Sequence, residues 1–93
     1  MNTPCIHIVR HDTGIYGWKV AIGNEPIDAD DGDSSITDCL IGAARGLPEE
    51  VKIVEIRYRG LHMGTFQKDD LFERAGETAS SIVGMYGELV DSL

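Results

Sequence analysis

The chain has 93 residues, of which 42% are hydrophobic and 26% are charged, a balance typical of a soluble globular protein. Sixteen acidic against eight basic side chains give a formal net charge of −8, which argues against a protein that binds nucleic acid by neutralising phosphates. Its apolar runs are too short to cross a bilayer or to form a signal peptide. We therefore expect a single cytoplasmic domain over residues 1–93 with no membrane partner.

The N-terminal third of the chain predicts a β-hairpin followed by a polar connection. Residues 4–11 and 15–22 are rich in β-branched and aromatic types and flank a turn-forming Asp-Thr-Gly triplet. Residues 24–33 are polar and rich in acids, and we interpret them as a solvated loop. Their likeness to a calcium loop fails because Gly32 stands at the fifth position instead of the sixth. We therefore predict no metal site in this segment, and weak binding of divalent cations by its clustered carboxylates is the alternative.

A helix is predicted next, over about residues 34–46. Ser35 and Asp38 have a spacing related to a capping box. Apolar residues then recur at helical intervals, and Gly46 stands just before a Leu-Pro pair, which is a stop signal. The first helix should therefore pack one apolar face against the sheet.

A second hairpin is predicted over residues 51–67, where apolar and charged residues alternate around an Arg59-Gly60 turn. Beyond it, apolar residues recur every three or four positions and predict helix. Gly76 interrupts this stretch, so residues 69–92 form either one helix or two. A strip of small residues on the last helix, including Gly76, Ser80 and Gly84, is interpreted as a site of close packing within the molecule, with contact to a second copy of the chain as the alternative.

This ββαββα order predicts an α+β fold. The simplest architecture is a two-layer sandwich with a four-stranded, mainly antiparallel sheet and both helices on one face. The other face of the sheet then meets water or a partner, and we call it the open face.

Strand alternation assigns side chains to the two faces. With a two-residue turn at Arg59-Gly60, residue 58 opposes 61, 57 opposes 62 and 56 opposes 63. The core side then holds Val54, Ile56, Tyr58, Leu61, Met63 and Thr65, with Ile6, Ile8, Tyr16, Trp18, Val20 and Ile22 from the first hairpin. The candidate binding residues on the open face are His7, His11, Lys19, Arg57, His62 and Phe66.

Histidines and cysteines do not combine into a recognised site. His7 and His11 lie about 13 Å apart on a strand and cannot hold one metal ion together. Cys5 and Cys39 are expected as two buried thiols of a cytoplasmic protein. We predict no metal, no cofactor and no catalytic residue.

The open face carries the functional hypotheses. Its mixture of apolar and cationic residues is typical of a surface covered by a partner or a small anionic ligand. We expect a noncatalytic binding or regulatory module that associates with itself or with another protein. The alternatives are a small enzyme or anionic-ligand sensor on the same face, and an acidic mimic of nucleic acid, which requires the acids of residues 25–38 and the helices to form one stripe.

Overall fold

The computed structural model describes residues 3–92 and has the predicted α+β class, with five strands and three helices over that range. The strands are β1 Pro4–Asp12, β2 Ile15–Ile22, β3 Glu25–Asp33, β4 Ile53–Tyr58 and β5 Leu61–Gln67, and the helices are α1 Ile36–Arg45, α2 Asp70–Glu73 and α3 Ala75–Asp91.

The five strands form one mixed sheet in the order β3-β2-β1-β4-β5. Neighbouring strands are antiparallel except β1 and β4, which are parallel. The chain leaves β3, crosses one face of the sheet through α1 and returns beside β1, so the two hairpins meet at this parallel pair. The predicted number of four strands is therefore wrong, whereas three of the four strand pairs are antiparallel, in agreement with a mainly antiparallel sheet.

Strand β3 is the element that the prediction missed. It is an edge strand, and it pairs only with β2, from Ile22↔Glu25 to Tyr16↔Asp33. Asp, Gly and Pro are depleted in strands, which explains why the segment reads as a loop. An edge tolerates Pro26 because one side of the strand needs no partner, and the acids discourage pairing with a further strand.

The helices begin and end largely as their local signals predict. Ser35 is the N-cap of α1 and its side chain accepts a hydrogen bond of 3.1 Å from the Asp38 backbone N–H. Two helices, α2 and α3, follow residue 68. The break between them is at Arg74 and not at Gly76.

The core lies between the helices and one face of the sheet. Its sheet-side residues follow the predicted alternation over most of both hairpins, and α1 contributes a continuous buried stripe. The buried hydrophobic residues include Ile6, Ile8, Trp18, Val20, Val54, Ile56, Tyr58 and Met63 from the sheet, and Ile36, Cys39, Leu40, Ala43, Ala44, Leu71, Ala79 and Ile82 from the helices.

The second hairpin has the predicted turn but not the predicted register throughout. Tyr58 pairs with Leu61 and Arg57 with His62, and then the register shifts, so that Ile56 pairs with Gly64. The extra residue is a β-bulge, which Gly64 accommodates because its φ of 121° is in the region that favours glycine.

The bulge moves Phe66 to the other side of the sheet. Phe66 pairs with Val54, which is fully buried, and packs against the core. Thr65 pairs with Glu55 and is exposed. The predicted positions of Phe66 on the open face and of Thr65 in the core are both wrong, because one inserted residue exchanges the two faces beyond it.

Candidate functional site

Four of the predicted site residues lie in one row across the open face. His7 on β1 pairs with Lys19 on β2 and with Arg57 on β4, and Arg57 pairs with His62 on β5. We call these four residues the cationic row. Neighbouring strands lie about 4.8 Å apart, so the row crosses four strands and spans about 14 Å.

The cationic row is accessible, since all three helices pack against the opposite face of the sheet. Lys19, Arg57 and His62 are exposed and His7 is half-buried. Burial lowers the pKa of His7 below its ordinary value of 6.5, and the charges of Arg57 and Lys19 lower this pKa further. At neutral pH His7 is therefore uncharged, and Lys19 and Arg57 give the row its positive charge.

Substitution of His7 by Gln is expected to make the protein less sensitive to acid. Because the folded state holds the pKa of His7 below 6.5, the unfolded chain takes up a proton first as pH falls through that value, and folding stability is lost toward pH 5. The His7→Gln variant lacks this proton, so it should lose less stability between pH 7.5 and pH 5. The difference should stay below about 1 kcal/mol, since solvent screens a half-exposed group.

The measurement is the urea unfolding midpoint at both pH values. Val83→Ala, at an exposed side chain of α3 that carries no titratable group, is the control and should respond to pH as the wild type does. Equal losses of stability in the wild type and in His7→Gln between the two pH values would contradict a lowered pKa of His7 in the folded state.

His11 lies apart from the cationic row. It stands where the pairing of β1 with β2 shifts between Arg10 and Asp12, and its Nε2 is 2.7 Å from Asp31 Oδ1 on β3. Gly17 leaves the room for this pair, because a Cβ there would overlap Asp31 Oδ1 and come within 3.0 Å of His11 Nε2. Asp31 was not recognised from the sequence because its strand was interpreted as a loop.

A groove of about 480 Å³ continues from the cationic row to this pair. Its lining residues come from β1, β2 and β3 and are Val9, His11, Trp18, Lys19, Ala29, Asp30 and Asp31. The open face therefore changes from positive at Arg57 and Lys19 to negative at Asp31 within a few strands.

Apolar side chains flank the cationic row on the same face. Ile53 is 50% exposed and Ile15 is 46% exposed, and alternation places them on the side of Arg57 and Lys19. Cys5 lies beside Glu55 in the next row, and burial, with the charge of Glu55, raises its pKa. The face therefore combines fixed charges with large exposed apolar groups.

The remaining acids and thiols do not form a metal centre. Among residues 3–92 no group of three or more His, Cys, Asp or Glu side chains is close enough to hold an ion. Asp31 pairs with Gly17 on the open side, whereas Asp28 and Asp30 pair with core-side residues of β2, so the acids of β3 divide between two faces. Cys5 and Cys39 are free thiols, and burial together with Asp33 raises the pKa of Cys39 to about 12.

Comparison with known proteins yields no relative: no family model, no curated protein and no solved structure matches this chain. None of the helices between residues 3 and 92 is long and apolar enough to span a membrane. Functional inference therefore depends on the geometry of the open face and on the chemistry of its residues.

Proposed function

We propose that the protein is a noncatalytic binding module that associates with a second copy of itself through the open face of its sheet. The observation that carries this proposal is the cationic row of His62, Arg57, His7 and Lys19, which crosses four strands on the face opposite the helices. A line of side chains on adjacent strands favours a broad surface contact over a small enclosed pocket.

The distribution of charge makes the open face complementary to itself. The central strand is β1, with Arg57 and His62 on the strands to one side and Asp31 on β3 at the other edge. A two-fold axis parallel to the strands, placed between β1 and β2 and between two facing sheets, puts β4 of one copy over β3 of the other. Arg57 of each copy then lies over the strand of its partner that carries Asp31, in an isologous contact.

The open face is also large enough for such a contact. Five strands at about 4.8 Å spacing and about eight residues in length give a projected area on the order of 600 Å². Each partner in an interface of standard size buries about 800 Å² of accessible surface, which a corrugated face of this extent can supply. Ile15 and Ile53 would become buried and contribute the hydrophobic part of the association.

A matched pair of substitutions tests whether the open face is the contact surface. Ile53 on the open face is 50% exposed and Val83 on α3 is 52% exposed, so a lysine at either position is tolerated by the fold. Ile53→Lys should raise the dissociation constant of the dimer by at least about tenfold, because it buries a charge in the contact. Val83→Lys should leave it unchanged. Light scattering over a concentration series measures both dissociation constants. A dimer weakened by Val83→Lys and not by Ile53→Lys would place the contact on α3 and contradict the proposal.

A further inference from the structure

A second site lies where the parallel strands β1 and β4 end. Arg10 is near the carboxyl end of β1, and Arg59 follows β4 directly. The Arg59 backbone N–H donates a 2.9 Å hydrogen bond to the Ile8 carbonyl, which fixes the β4–β5 turn against β1. In open α/β sheets, ligands bind in the crevice outside the carboxyl ends of the parallel strands, and the single parallel pair β1–β4 places Arg10 and Arg59 at the equivalent end.

The two arginines share a cavity of about 260 Å³ with His11, Asp12 and Thr13. At about 30 Å³ per water, this is room for about nine waters, or for a phosphate group and the first atoms of the molecule that carries it. Thr13 supplies a hydroxyl, which accepts a 3.0 Å hydrogen bond from Arg10 Nη2. The Asp12 carboxylate is occupied, since its Oδ1 accepts a 2.7 Å hydrogen bond from the Thr13 backbone N–H.

Neither Arg10 nor Arg59 forms an ion pair within residues 3–92, although Asp12 lines the same cavity. The protein has twice as many acids as bases, and yet the only ion pair within the described residues is that of His11 with Asp31. Both arginines also act on the same phenol: burial and Tyr16 raise the pKa of Tyr58, whereas Arg59 and Arg10 lower it. Two guanidinium groups that both act on the Tyr58 hydroxyl repel each other, and a bound anion would relieve this repulsion.

The backbone at Arg59 is held in a costly conformation. Its φ of 52° is left-handed, which costs a non-glycine residue on the order of 1 kcal/mol or more, and Asn is the usual residue at this position of a two-residue hairpin turn. The guanidinium carbon lies 4.9 Å from the centre of the Tyr86 ring. Tyr86 in turn packs edge-on against Tyr58 with ring centres 5.0 Å apart. Strain of this kind concentrates at functional sites.

We propose that Arg10 and Arg59 bind a phosphate group in this cavity. Arginine suits phosphate because its planar fork donates two parallel hydrogen bonds to the oxygens. Thr13 adds a hydroxyl, and Tyr86 fixes the Arg59 guanidinium before the ligand arrives. The site lies at the end of the sheet and shares only His11 with the groove of the open face, and the proposal does not require self-association.

The test is a titration of ¹⁵N-labelled protein with inorganic phosphate and, separately, with phenyl phosphate, at constant ionic strength and pH 7.5. We expect saturable shifts of the amide resonances centred on Thr13 and Gly60 with either probe. Tighter binding of phenyl phosphate would indicate an organic phosphate as the ligand, and equal binding would indicate free phosphate. Shifts centred on Arg57 and His7 instead, or shifts that do not saturate, would overturn the proposal.

Arg59→Asn is the decisive variant because asparagine suits the turn and the fold should be kept. The free energy of unfolding of this variant should fall by no more than the loss of one cation–π contact explains. Its dissociation constant for phosphate should rise at least about tenfold. Arg10→Met should weaken binding similarly. Arg74→Asn removes one charge from the exposed junction of α2 and α3 and should bind as the wild type does. Equal binding by Arg59→Asn and Arg74→Asn would refute the site.

Discussion

Arg57→Glu is expected to dissociate the dimer and to raise its dissociation constant by at least about 100-fold. Arg57 is an inner residue of the cationic row, between His7 and His62, and in the proposed contact it faces β3 of a second copy, the strand that carries Asp31. Reversal of its charge places like charges opposite each other in a desolvated contact, which costs several kcal/mol. Sedimentation velocity at matched concentrations measures the change.

The control for this prediction is Arg74→Glu, which makes the same change in net charge at an exposed residue between α2 and α3. It should leave the dissociation constant within about threefold of the wild-type value, since a distant surface charge is screened by salt. If both variants weaken association equally, the effect is one of net charge and the open face is not the contact. Unchanged association of Arg57→Glu would also count against that face.

Leu40→Ala is expected to cause the largest loss of folding stability. Leu40 is fully buried on α1, which joins the first three strands to the helical layer. Truncation of a buried leucine leaves a cavity and costs about 2 to 5 kcal/mol. The whole free energy of unfolding of a chain of this length is about 5 to 14 kcal/mol, so the variant should be marginally stable at 25 °C.

Urea unfolding at a protein concentration low enough to keep the chain monomeric measures this loss. Val83→Ala removes apolar atoms from α3 at a side chain that is 52% exposed, and it should cost less than about 1 kcal/mol. A small effect of Leu40→Ala, similar to that of Val83→Ala, would mean that α1 does not pack on the sheet as described.

The sequence predicts the fold wherever local signals and burial agree. The α1 cap at Ser35 and the Arg59-Gly60 turn follow from local rules, and the core face of β1, β2 and β4 follows from alternation. Strand β3 could not be predicted, because its acids and glycine resemble a loop and only pairing with β2 makes it a strand. The order of the strands could not be predicted either, because pairing between distant segments leaves no local pattern in the sequence.

The candidate site was predictable in part. Alternation places four of the candidate residues correctly, because they lie on other strands or before the bulge of β5. These are His7, Lys19, Arg57 and His62. Phe66 lies beyond the bulge, and the single residue inserted at Gly64 moves it to the core side. Alternation also cannot show that the four residues share one row, because the row depends on the register between β1 and β4.

The most direct test of the central claim is sedimentation equilibrium of the wild-type protein over about 1 to 500 µM at physiological salt. One chain has a mass of 10.2 kDa, and self-association through the open face predicts an average mass that rises with concentration and levels off at twice this value. An isologous contact closes at the dimer, so no larger species should form. A mass that stays at 10.2 kDa over the whole range would contradict the account.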